Sequence, residues 1–245
     1  MNGARLAAKF AFGPNCLDYC GSRKDSEKIF DYACGGKGSE TGMQKIFSRF
    51  RGMGPYLELI AAENGRKKFD YEVAEAYWLG NELLESVSRK AWREMILSEF
   101  ARGGGLSTAQ AKAYAERVKG KVLPHHSFHV MTVFTLGGML EHTIPNIDSC
   151  RVPWGKIIEE KENSFVVEYR PIVSGKGGLE FGEPAEREVL NSIPGKSGKL
   201  VSASEDESVA FHWRFACKAL DEREAKNLEN CVSRNMRELN AQSLT

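Results

Sequence analysis

The stretch Cys150-Arg-Val-Pro-Trp-Gly-Lys156 marks the change of texture that decides the fold. Before it, apolar residues recur at helical spacing; after it, they come in short β-branched runs. Residues 155–159 and 164–169 flank a polar 160–163 segment, the pattern of a hairpin. Residues 187–190, 199–201 and 208–212 read as further strands, and the glycine-rich 174–184 segment as a long exposed loop. Short strands at this spacing predict a small barrel. Phe211-His-Trp-Arg-Phe-Ala-Cys217 then leads into 221–239, an amphipathic helix with Ala225, Leu228, Val232 and Met236 on one side.

The N-terminal part reads as all-α. Residues 43–50 and 56–62 form short helices, the second opened by Gly54-Pro55 and closed near Gly65. Residues 70–100 carry a long helical pattern through Ala74, Tyr77, Trp78, Leu84 and Val87, in which Gly80 marks a close helix crossing. Ser107-Thr-Ala-Gln110 has the form of a capping box and opens a helix through Val118. Pro124 begins another apolar segment through Leu140, interrupted at Gly137-Gly138. The expected organisation is therefore α+β, with a helical domain over 1–146 and a β module with a C-terminal helix over 147–245.

The chain has 245 residues and a formal net charge of +1. That balance argues against a general nucleic-acid binder, which carries a basic stripe or patch. The Arg66-Lys-Lys68 cluster is flanked by Glu63 and Asp70 and reads as a solvated turn. No apolar run approaches a membrane span, and no continuous apolar stretch near the N-terminus reads as a secretory signal. Six scattered cysteines are too few for a disulfide scaffold, so reduced thiols and a cytoplasmic location are expected.

Cys150 and His212 bracket the β module, each beside a tight backbone feature. A soft thiolate and an imidazole so placed can hold a soft, low-valent metal. The plainer alternatives are a small loop thiol for Cys150 and a half-buried strand residue for His212. Within Pro124-His125-His126-Ser-Phe-His129, a helix would put His125 and His129 one turn apart on one face, a spacing that can chelate a metal. His126 would point about 100° away. Glu72 and Glu75 share a face of the long helical pattern, with Glu82 about two turns beyond Glu75. Carboxylates and histidines on facing helices build iron sites in bundles; a solvated face and a hydrogen-bonded helix start are the alternative. His142 could join either site.

Phe10-Ala-Phe-Gly-Pro-Asn-Cys16-Leu-Asp-Tyr-Cys20 is specific in texture. Phe12-Gly-Pro-Asn15 reads as a turn, and Cys16 and Cys20 align if a helical turn follows. With Cys34 they match none of the strong zinc or iron–sulfur spacings, so the element reads as structural or as lining a pocket. Cys217 and Cys231 fit the core faces of the closing segment.

From about Ser149 to Leu239 the chain resembles the HypC/HupF family of hydrogenase maturation chaperones. Cys150, Pro153, Gly155 and Lys156 match that family's opening, with Trp154 between Pro153 and Gly155. His212, Phe215 and Ala216 match its later His-x-x-Phe-Ala element, and Leu220-Asp-Glu-Arg-Glu-Ala225 its acidic helix start. The resemblance implies an OB-like β-barrel with a C-terminal helix. It also implies a role in metallocentre assembly, in which the cysteine carries iron bearing cyanide and carbon monoxide. The implied partners are a HypD-like scaffold or the hydrogenase large-subunit precursor. Here Cys150 is internal, preceded by the whole helical region.

Three functional expectations follow: a non-catalytic assembly factor using Cys150 and His212; an iron-dependent enzyme using His125, His129 and some of Glu72, Glu75 and Glu82 to make or process a small ligand such as carbon monoxide; or an interaction subunit that kept the barrel alone.

Overall fold

The Asn2 side chain accepts the Arg5 amide proton and starts helix α1 (Gly3–Cys16). The computed structural model describes residues 1–101, 105–133 and 140–243 and shows an α+β fold. Helices α2 (Ser26–Ala33), α3 (Glu40–Phe47), α4 (Met53–Glu63) and α5 (Tyr71–Trp78) follow. After them come α6 (Arg89–Met95), α7 (Thr108–Glu116), α8 (His126–Thr132) and α9 (Ile144–Cys150). The capping box at α7 is complete: the Ser107 side chain accepts from the Gln110 amide and the Gln110 side chain accepts from the Ser107 amide.

Two expectations for the helical region are corrected. The 70–100 pattern is not one helix. Gly80 adopts φ +88°, a left-handed conformation that ends α5, and a Cβ there would sit 2.4 Å from Cys231 Sγ. A short 3-10 turn at Glu82–Leu84, α6 and a π-turn at Ile96–Phe100 carry the rest. The 12–15 segment is not a turn either, because it lies inside α1, Pro14 included. Gly137-Gly138 lie outside the described residues.

The β part contains β1 (Trp154–Glu160), β2 (Ser164–Tyr169), β3 (Ile172–Gly175), β4 (Gly178–Phe181), β5 (Ala185–Leu190), β6 (Ser208–His212) and β7 (Phe215–Leu220). The β1–β2 hairpin is as the alternation indicates, with Gly155 opposite Tyr169. Strand pairings run in a closed ring β1-β2-β5-β7-β6, and β6 returns to β1. Residues 174–184, expected as a loop, instead carry part of β3 and all of β4, which pair with each other as a separate hairpin. Residues 199–201 form no strand. The buried Asn191 side chain holds the Val201 amide and carbonyl at 2.8 and 3.0 Å and satisfies that backbone without a ladder.

Helix α10 (Glu222–Ser243) closes the chain and ties the two parts together. Its Asn240 accepts from the Leu179 amide and donates to the Leu179 carbonyl, pinning β4. Its buried Asn235 holds the Leu123 amide at 2.7 Å and donates to the Leu123 carbonyl and to Ser127 Oγ, fixing the chain where it enters α8. One continuous hydrophobic core includes residues from α1, α5, the strand ring and α10. The expected 146/147 boundary falls inside α9. Among the described residues, no helix is long and apolar enough to cross a membrane.

Candidate metal centre

The centre lies where α1, α8, α9 and the β6–β7 turn converge. Ligand atoms of His126, Cys150 and His212 all lie within 4.8 Å of one another. Among the described residues this is the one group of three or more His, Cys, Asp or Glu side chains so gathered. Cys150 is the last residue of α9, His126 the first of α8 and His212 the last of β6.

Backbone bonds press the Cys150 turn onto β6. The Trp213 amide donates to the Ser149 carbonyl at 2.7 Å, and the Phe211 amide to the Pro153 carbonyl at 2.9 Å. The chain is strained on both sides: Val152 has φ +65° and Trp213 φ +60°. A β-branched residue rarely adopts that region, and the first central position of a two-residue hairpin turn commonly takes glycine. Such strain persists only where the surroundings over-determine it, as functional sites do.

Below Cys150, Asp148 is a buried hub. Its carboxylate accepts from Arg151 Nε at 3.1 Å, from the Tyr169 hydroxyl at 3.0 Å and from the Ile172 amide at 2.9 Å. This fastens α9 to β2 and β3. The buried Arg151 guanidinium lies over Trp154 and Phe181.

His212 is 1% exposed. Its Nδ1–H donates to the Phe10 carbonyl at 2.7 Å, which leaves Nε2 as the lone-pair nitrogen, 3.4 Å from Cys150 Sγ. A ring N–H tied to a backbone carbonyl is how metal-ligating histidines are oriented. The Phe10 carbonyl is free for this because of Pro14: four residues on, proline has no N–H to donate back along the helix. Gly13 lets the elements meet, since a Cβ there would lie 2.7 Å from the His212 carbonyl oxygen. Asn15, fully buried, completes the element by donating to the carbonyls of Cys20 and Ser22 at 2.8 and 3.0 Å. The Phe-Gly-Pro-Asn segment thus lines the site as part of a helix.

His126 Nε2–H donates to the Cys150 carbonyl at 2.9 Å, and its Nδ1 accepts from the Tyr77 hydroxyl at 3.0 Å. Trp78 packs beside both rings, with centroids 4.5 Å from His126 and 5.6 Å from His212. To hold a metal through Nε2, His126 would give up its bond to the Cys150 carbonyl; its ring proton would then stand on Nδ1, with the Tyr77 hydroxyl as acceptor.

Burial sets the protonation of the group. It pushes the Cys150 thiol well up, with the neighbouring Cys20 adding to the effect. Burial pulls His212 down to about 4 and His126 well below its usual range. At neutral pH the group is therefore a thiol and two neutral imidazoles, not the thiolate–imidazolium pair of an activated nucleophile. Neutral imidazoles are ready ligands, and a soft cation can take the place of the thiol proton. The donor set fits a soft or borderline transition metal.

The other expected ligands lie elsewhere. His125 is the N-cap of α8 with extended backbone, so the one-turn spacing to His129 does not apply; its Nδ1 accepts the Ser127 amide at 3.1 Å. His129 Nδ1 is bonded to the Tyr114 hydroxyl at 3.1 Å, and that hydroxyl in turn to Tyr56 at 2.5 Å. Glu75 is buried and paired with Arg223 of α10 at 2.9 Å, a tie between helices, while Glu72 and Glu82 are exposed. His142 Nε2 donates to the Val130 carbonyl at 3.0 Å. None of these joins a three-ligand group among the described residues. Cys16 ends α1. Cys20 lines a cavity of about 50 Å³ together with His126, Cys150 and His212.

The sequence offers His126 and Cys20 only as further candidates beside His125 and His129, and Phe10–Cys20 as an element that lines a pocket; the roles of Tyr77 and Asp148 it does not indicate. The local signal for His126 was Pro124-His125 as a helix start, which makes His126 the first helical residue.

A family model described as a family of unknown function (DUF6390) matches residues 1–245. No curated protein matches the chain. No solved structure matches it.

Proposed function

The chain belongs to the DUF6390 family, and we propose from the site that it binds a transition-metal ion through Cys150, His212 and His126 and serves in metallocentre assembly. The observation that carries this reading is the gathering of those three ligand atoms within 4.8 Å, beside a cavity that no charged side chain lines among the described residues. The cargo is iron, and the clients or partners are those of the HypC/HupF resemblance: a HypD-like scaffold or a hydrogenase large-subunit precursor. Supporting this, the two residues matched to that family, Cys150 at the end of α9 and His212 at the end of β6, have side chains 3.4 Å apart beside a closed strand ring followed by a long C-terminal helix. In this reading the ring is an OB-like barrel and residues 147–245 its module. Residues 1–146 add the third ligand from α8 and the carbonyl that orients His212. A thiolate suits iron bearing strong π-acceptor ligands and exchanges readily with thiolates on a partner.

The test is anaerobic loading of the full chain with ferrous iron, followed by metal analysis and infrared spectroscopy for iron-bound cyanide and carbon monoxide after co-expression with the scaffold. A single iron per chain is expected, lost in Cys150→Ser and His212→Ala proteins whose circular dichroism is unchanged. Iron content unaffected by both substitutions would sink the proposal.

A further inference from the structure

The cavity beside the three ligands has a further sulfur in its wall. Cys20 lines it, outside the three-atom group, on the turn that follows α1. That turn is built with care. Asp18 takes φ +64° and Gly21 φ +72°, and buried Asn15 holds the Cys20 carbonyl. Tyr19 packs on Trp213, the residue after His212, with ring centroids 4.5 Å apart. The turn is therefore docked on the site itself, and Cys20, like Cys150, is only partly buried, whereas His126 and His212 are buried.

Charge decides what the turn is for. Among the described residues no carboxylate lines the cavity, whose walls are aromatic and aliphatic side chains together with the imidazoles, the Met53 thioether and the thiols of Cys20 and Cys150. A bare divalent ion, one that carries no cyanide, held by the Cys150 thiolate and two neutral imidazoles leaves one uncompensated positive charge in an apolar enclosure. Burying such a charge is strongly unfavourable. A second thiolate cancels it and also supplies the fourth donor of a tetrahedral soft-metal site. We propose that Cys20 is that second thiolate, a ligand at the cavity's outer side that joins Cys150, His126 and His212 when a divalent ion is bound. Binding then replaces two S–H bonds by two metal–sulfur bonds and releases two protons to solvent, with no change in oxidation state. The Trp213 indole N–H stands in the same wall, where it already faces the Cys150 thiol as a donor to sulfur.

The proposal rests on the metal-site reading above, and cobalt(II) separates the two. The full-length chain is titrated anaerobically with cobalt(II), and sulfur-to-cobalt charge-transfer absorption is read per bound ion. Two thiolates are expected in the unaltered protein. Cys20→Ser should show about half that intensity, and Cys150→Ser and the double variant, which do not retain the ion, none. Apo-protein melting curves of Cys20→Ser and the unaltered chain should coincide, which separates ligand loss from misfolding. Full intensity retained in Cys20→Ser overturns the Cys20 assignment and leaves the three-residue site standing. Absence of cobalt and iron binding in the unaltered chain overturns both.

Discussion

His212 Nδ1 donates to the carbonyl oxygen of Phe10 at 2.7 Å, across 202 residues of sequence. That bond is available because Pro14 withholds the helical N–H that would otherwise occupy the same oxygen. Through it α1 sets the imidazole tautomer and turns Nε2 toward Cys150.

Replacing Pro14 by alanine restores the competing N–H. Helix propensity alone favours the change, since proline inside a helix costs roughly 3 kcal/mol. The expected outcome is an apo-protein at least as stable as the original, with metal affinity weakened about tenfold or more through the loss of this outer-layer contact. Metal titration together with urea denaturation measures both; unchanged affinity would refute the role given to Pro14.

Removing Asp148 should be costly. Asp148→Ala leaves the Arg151 guanidinium, 1% exposed, without its carboxylate. Breaking a buried ion pair from one side typically costs about 3–5 kcal/mol. Equilibrium unfolding of Asp148→Ala reads this directly, and a loss under 1 kcal/mol (a small fraction of that range) would contradict the hub assignment.

Acid should destabilise the apo-protein in a defined window. Burial lowers His125 to about 3 and His129 and His212 to about 4, against 6.5 for an ordinary imidazole. Below pH 6.5 the unfolded chain takes up protons that the folded one refuses. The stabilisation is therefore whole above about 6.5 and declines as the pH falls toward 4. Each histidine contributes a slope of up to roughly 1.4 kcal/mol per pH unit within that window. Denaturation midpoints measured between pH 7.5 and 4.5 (about this window) should fall steeply, and a flat profile would be incompatible with four neutral buried imidazoles.

Gly80→Ala provides a contrast away from the site. Its Cβ would press on Cys231 Sγ, and its φ of +88° disfavours any side chain. A loss of about 1–3 kcal/mol is expected from overpacking and backbone strain. Metal binding in the folded fraction should match the unaltered chain, as a metal titration below the melting temperature would show.

Local patterns made much of this architecture legible. The Ser107 capping box, the 155–169 hairpin and the amphipathic closing helix each depend on residues a few positions apart, and each is present. The misreadings arose where a distant partner changes the local outcome. The Phe12–Asn15 segment looks like a turn until His212 takes up the carbonyl that proline frees. The 70–100 pattern looks like one helix until α10 demands a glycine at position 80. The 199–201 run looks like a strand until Asn191 satisfies its backbone.

The same division runs through the site. Sequence by itself determined an all-α part leading into a β part, and singled out Cys150 and His212 as a related pair. Those conclusions rest on periodicity, turn chemistry and motif order, all local or nearly so. Only the tertiary structure decided that His126, not His125 or His129, joins them, and that Phe10, Tyr77 and Cys20 surround the group. The physical reason is that ligand geometry depends on where separate elements pack. Bonds spanning 24 and 62 residues, from His126 to Cys150 and from Cys150 to His212, are set by the shared core and not by any neighbour in the chain.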